Sequence, residues 1–139
     1  MNAPLYNTQI LRLAASIPYH ERLAAPDATS EKRSPVCGSR VTVDVEMADG
    51  RVAAVGMLVR ACALGQASAS LMAMHVVGRS ADELAAARDA LAAWLAGEGD
   101  MPDWPGLEIF APALPHRGRH ASIRLAFEAA AEAAAGGER

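Results

Sequence analysis

Residues 40–59 read RVTVDVEMADGRVAAVGMLV, and this stretch decides the fold. Val41, Val43, Val45 and Met47 alternate with Thr42, Asp44 and Glu46, the two-residue period of a half-buried strand. Asp49-Gly50 then offers the residues that a tight hairpin turn needs, because both of its central positions take positive φ. Arg51–Val59 returns as a second antiparallel strand. Counting back equally from both sides of the turn sets Cys37, at the entry to the first strand, opposite Cys62, at the exit from the second. The two sulfurs are therefore expected to be neighbours, either as small buried hydrophobes or as a pair of ligands to one ion.

Working outward, the strand pattern ends at Cys62. Residues 63–77, ALGQASASLMAMHVV, place Leu64, Ala67, Leu71 and Met74 on one stripe, which predicts a helix with Cys62 at its start. Ser80 followed by Glu83 is a capping-box signature, and Leu84, Ala87, Leu91 and Leu95 continue a second helix that stops before Gly97. The stretch Gly97–Pro115 holds four of the eight prolines and reads as loop, with a short extended piece at Leu107–Phe110. His120–Ala135 is an alanine-rich helix closed by Gly136-Gly137. On the N-terminal side, Leu5–Ala15 has helical spacing, and Ala25–Pro35 lacks periodicity and is expected to cross the surface as an irregular connection. Strands come first and helices later, the order of an α+β fold.

Composition bounds the function. At 139 residues the chain suits one domain, and 52% hydrophobic against 21% charged residues is enough to build a core. Only 4% of residues are aromatic, so the core is alanine and aliphatic, which favours close helix packing over a roomy substrate cavity. The net charge of −3 lacks the excess of positive potential that tracking nucleic acid requires. The longest apolar stretch, Val52–Leu64, is broken by Gly56 and Arg60 and falls short of a membrane span. Met1–Ile17 has no basic region leading into a long apolar one, so a cytoplasmic setting is expected, with both cysteines reduced.

No nucleophile elbow, phosphate loop, HExxH helix or dinucleotide fingerprint is present. Ser68 and Ser70 read as small residues allowing close packing, and Asp82, Glu83, Arg88 and Asp89 as a solvated helix face. A third ligand beside two cysteines has to come from His20, His75, His116 or His120. His120 opens the last helix directly after a loop and is the best placed, with His116 in reserve and His75 on a helix face.

These residues resemble the IscU/NifU-type iron–sulfur cluster assembly scaffolds, in their SufU-like branch. Ser34-Pro35-Val36-Cys37-Gly38-Ser39-Arg40-Val41 resembles the family's Cys-Gly-Asp entry to a strand. Cys62-Ala63-Leu64-Gly65-Gln66-Ala67-Ser68-Ala69-Ser70 resembles the second motif almost residue for residue. Pro115-His116-Arg117-Gly118-Arg119-His120-Ala121-Ser122 resembles the third, with His120 in place of the cysteine, and Leu5-Tyr6 with Ile10-Leu11 fits the family's N-terminus. The resemblance implies one scaffold domain over residues 1–139, with a small antiparallel sheet, hairpin at its centre, packed against C-terminal helices in the SufE/NifU-like manner. It implies a non-enzymatic scaffold or carrier that holds iron, a transient [2Fe-2S] cluster or zinc through Cys37, Cys62 and His120. Ser39, at the family's aspartate position, and His116 are possible additional ligands.

Neutral imidazole binds zinc and iron and replaces thiolate in Rieske-type centres, so His120 suits the third position. An alcohol stays protonated near neutral pH, so Ser39 is a weaker ligand than aspartate, leaving a fourth position open. The resemblance further implies a cysteine desulfurase and cluster-acceptor proteins as partners, no nucleic acid or membrane, and a monomer or weak homodimer. Two alternatives stand beside it. One is a zinc-dependent sulfur acceptor of the SufU kind; the other is a degenerate paralogue that kept the fold for protein–protein contact without metal.

Overall fold

The computed structural model of the chain describes residues 6–35 and 38–137. Helix α1 spans Thr8–Ala15, and the Asn7 side chain caps it by accepting from the Ile10 N–H at 2.9 Å; the expected start at Leu5 lies outside the described residues. Strands β1 (Ala28–Arg33), β2 (Arg40–Ala48) and β3 (Arg51–Arg60) form an antiparallel sheet in that order. Helices α2 (Ala63–Val76), α3 (Ala81–Leu95) and α4 (His120–Gly137) follow, so the α+β order holds and β2 lies at the sheet's centre.

The hairpin joins β2 to β3 as expected, with Asp49 at φ 54° and Gly50 at φ 75°. Its register needs a correction. Ala48 pairs with Arg51 and Met47 with Val52, but a bulge then places Ala53 between pairs, and Glu46–Ala54 through Arg40–Arg60 are displaced by one residue. The paired ladder ends at Arg40–Arg60, short of Cys62, which caps the following helix. Cys37 itself lies outside the described residues.

β1 occupies part of the stretch expected to be irregular. It has no apolar alternation: Thr29, Glu31 and Arg33 share its outer face, while Ser30 and Lys32 on the other reach Glu132 of α4. Its hydrogen bonds to β2 define it, not a buried side-chain pattern. The piece expected to be extended at Leu107–Phe110 belongs instead to a 3-10 helix, Leu107–Ala113, whose Leu107, Phe110 and Ala113 recur every three residues and are all buried.

The core lies between sheet and helices. Val41, Val43, Val45, Met57 and Val59 face inward, and α4 crosses β1 and β2. Small side chains such as Ala126, Ala129, Ala130, Ala133 and Ala134 let the α4 backbone approach closely. Helix α2 is gripped between α1 and α4 and is buried around most of its surface, so the expected single stripe is exceeded, and Met74 from that stripe is exposed. The two buried serines of α2 are satisfied by carbonyls: Ser68 Oγ donates to Ile123 O at 2.6 Å and Ser70 Oγ to Leu13 O at 2.5 Å. Both halves of the Ser80/Glu83 capping box form at the start of α3. Among the described residues no helix is long and apolar enough to cross a membrane.

On the outer face of the sheet, Asp44 is fully buried under residues 22–23. Arg22 donates to its carboxylate through Nε at 2.6 Å and Nη2 at 3.0 Å, Leu23 N–H at 3.0 Å, and Thr29 Oγ1 at 2.5 Å. Burial pushes this carboxyl up, but the Arg22, Thr29 and Leu23 hydrogen bonds outweigh it and hold Asp44 below its ordinary value.

Candidate functional site

Cys62 occupies the junction between β3 and α2. It is the N-cap of α2, with extended backbone at φ −66° and ψ 170°, and its carbonyl accepts the Gln66 N–H at 2.9 Å. Its thiol makes no capping bond to the helix. It lies 3.2 Å from the hydroxyl of Ser122, in the first turn of α4, and Ser122 in turn lies 3.4 Å from the hydroxyl of Ser39, just before β2. Ser39 and Ser122 are both buried. Residues from the three motif segments thus converge on one point where the N-terminal turns of α2 and α4 meet.

Gly65 makes that meeting possible. A Cβ built there would stand 2.6 Å from Ser122 Oγ and 2.7 Å from Ala61 Cβ, inside van der Waals contact. The spacing from Cys62 to Gly65 is therefore a packing requirement. Ser122 is not marked by the sequence, since a serine two residues into an alanine-rich helix carries no periodic signal; the glycine facing it is the available hint.

His120 is the first residue of α4 and is 6% exposed. Its Nε2 lies 2.9 Å from the Ala113 carbonyl. In the neutral tautomer that donates from Nε2, the Nδ1 lone pair stays available, which is the usual arrangement of a ligating histidine whose other nitrogen is anchored. Residues two apart on a helix are separated by roughly 200°, so His120 and Ser122 leave α4 on different sides. The imidazole shares a groove with Pro35, Leu95, Arg117 and Arg124. Its hydrogen bond is to Ala113, not to the Ser39–Cys62–Ser122 group.

The other histidines are placed elsewhere. His20 Nε2 accepts the Val59 N–H at 3.2 Å, His75 stands edge-on to Trp104, and His116 is exposed beside the 3-10 turn Arg117–Arg119. Among the described residues, no three His, Cys, Asp or Glu side chains gather as a metal-binding group. The set Cys37, Cys62, His120 includes one residue beyond those described.

A three-stranded antiparallel sheet backed by a long C-terminal helix, with a cysteine at the strand-to-helix junction, places the chain in the class of α+β domains. The N-terminal part of a nitrogen-fixing NifU-like protein from Brucella abortus matches with a TM-score of 0.90 and 42% identity, over 95% of this chain and 93% of that one. The chain belongs to this family, the IscU/NifU type. A protein assigned to the SUF system as an iron–sulfur cluster assembly scaffold, from Fervidobacterium islandicum AW-1, shares the fold with a TM-score of 0.82 at 17% identity, over 93% of this chain and 96% of that one. A hypothetical protein shares it at 0.76 and 21%, over 94% and 97%. No protein-family model matches the chain, and no curated protein matches it.

Proposed function

We propose that this chain, as a single domain, is a cytoplasmic iron–sulfur cluster assembly scaffold or carrier and not an enzyme. Its cargo, iron, a [2Fe-2S] cluster or zinc, is held through Cys37, Cys62 and His120, with Ser39 and His116 as candidate further ligands. The observation that carries the reading is the convergence of Ser39, Cys62 and Ser122, which draws the three motif segments of a family member to one point. The donor chemistry fits such cargo: a thiol that makes no bond to its own helix, and an imidazole whose Nδ1 is open when Nε2 is anchored. Two thiolates and one neutral imidazole balance a divalent ion and leave a position that solvent or a partner's thiol can take. A cysteine desulfurase as sulfur donor and cluster-accepting proteins as recipients complete the proposal, supported by the family match and by the likeness to the SUF-system scaffold.

The replacement of the family's aspartate and third cysteine by Ser39 and His120 favours a second reading, a paralogue that keeps the fold for protein contact and carries no metal. Anaerobic reconstitution with iron and sulfide, followed by absorption spectra and metal analysis, separates the two. The first reading expects sulfur-to-iron charge-transfer absorption that Cys37→Ser and Cys62→Ser each abolish. A colourless, metal-free protein after reconstitution refutes it and leaves the second.

A further inference from the structure

The face of the sheet away from the helices carries a row of like charges that the fold does not explain. Arg33 pairs directly with Arg40, and Arg40 directly with Arg60, so three arginines occupy one row across three strands. Like charges placed opposite one another across a ladder cost stability. The next rung is Glu31, Thr42 and Leu58, and beyond it Arg22 covers Asp44. Compensation is incomplete. Asp44 is taken by Arg22, and Glu31 is divided between Arg33 at 3.1 Å and Arg40 at 3.8 Å. Arg60 is exposed and has no ion-pair partner among the described residues. Four arginines thus face two carboxylates on a chain whose net charge is −3. Arg22, Arg40 and Arg60 border an open groove of about 160 Å³ with Glu31, Thr42 and the half-exposed Leu58.

We propose that this arginine ladder is the docking surface for an acidic, extended segment of a partner protein. Neighbouring strands lie about 4.8 Å apart, so the three arginines span roughly 10 Å. Carboxylates at alternate positions of an extended peptide lie about 7 Å apart on one side, within reach of that row, and guanidinium groups take carboxylates in paired hydrogen bonds. Leu58 receives an apolar side chain between them. Nucleic acid fits less well: the row is short, no aromatic side chain borders the groove for a base to stack on, and the chain as a whole is acidic. Arg40 follows Ser39, and Arg60 precedes Cys62 by two residues, so the segment docks beside the converging motif residues. The proposal does not depend on what Cys62 binds, and its test needs no metal.

The probe is a short fluorescein-labelled peptide of alternating glutamate and leucine, titrated against the full chain and read by fluorescence anisotropy. Arg40→Gln/Arg60→Gln should weaken binding about tenfold, the size expected from two solvent-exposed ion pairs. Arg12→Gln/Arg88→Gln, which removes equal charge elsewhere, should change it less than about twofold. Wild-type binding should weaken as salt rises. Because the ladder repels itself, the Arg40→Gln/Arg60→Gln chain should unfold at an equal or higher urea concentration, which separates docking from a structural role. Wild-type chain that fails to bind the peptide, equal losses in both double variants, or equal binding of a glutamine version of the peptide overturns the proposal. So does tighter binding of a short single-stranded RNA, or self-association of the chain that the ladder variant abolishes.

Discussion

Gly65→Ala is the substitution that most directly tests how the candidate site is built. The new methyl would lie 2.6 Å from Ser122 Oγ and 2.7 Å from Ala61 Cβ, so the N-terminal turns of α2 and α4 must separate by roughly 0.8 Å to restore ordinary contact. Overpacking of this kind costs about 1–3 kcal/mol, whereas alanine in a helix is favoured over glycine by about 1 kcal/mol. The expected net loss is about 0–2 kcal/mol at an unchanged m-value in urea unfolding. Gly136→Ala is the control, because its Cβ would meet only Ala28 Cβ at 3.6 Å, an ordinary contact near the end of α4. That variant should match the wild type or exceed it by up to about 1 kcal/mol. Ser122→Ala removes the closest clashing atom, so Gly65→Ala should cost about 1 kcal/mol less in that background than in the wild type. If Gly65→Ala stabilises the protein as much as Gly136→Ala does, and its effect adds to that of Ser122→Ala without coupling, the close approach of α2 and α4 is not what the glycine serves.

Three further outcomes are expected. Asp44→Asn should cost about 2–4 kcal/mol near pH 7, because a buried carboxylate with four donors is replaced by an amide that cannot accept from them all. Since the folded state lowers this carboxyl, its contribution is complete above the ordinary aspartate value of ~3.9 and is lost as pH falls through the folded one; the wild-type advantage in urea should stay constant above about pH 5 and shrink below about pH 4. His120→Ala should lower metal retained after anaerobic reconstitution and His120→Cys should raise it, and equal metal content in wild type and the alanine variant would remove His120 from the site. Ser39→Asp should slow the loss of bound metal to a chelator by adding an anionic oxygen next to Cys62 and Ser122, and an unchanged rate would show that position 39 is not the weak ligand.

The alternation from Val41 to Met47, the Asp49-Gly50 turn, the Ser80/Glu83 capping box and the placing of Cys62 where strand gives way to helix were all legible in the sequence. Each depends on residues within a few positions of one another, where strand period, turn chemistry and helix caps act. The Cys62–Ser70 motif likewise carried the family from sequence alone, and the match to a NifU-like protein agrees with it. Tertiary structure decided the rest. β1 is a strand because β2 offers it hydrogen bonds, and its own polar residues carry no sign of that. The unpaired Ala53 displaces the hairpin by one residue, through a pairing choice that equal counting from the turn cannot foresee. Burial of Ser68 and Ser70 needed carbonyls from α4 and α1, and the contact of Cys62 with Ser122 needed α4 to cross α2 at Gly65. Side-chain period reports what faces a core, but it holds no record of which distant backbone supplies a partner. That is why the elements were readable before folding, while the surroundings of Cys62 and the direction of the His120 ring were set only when sheet and helices packed together.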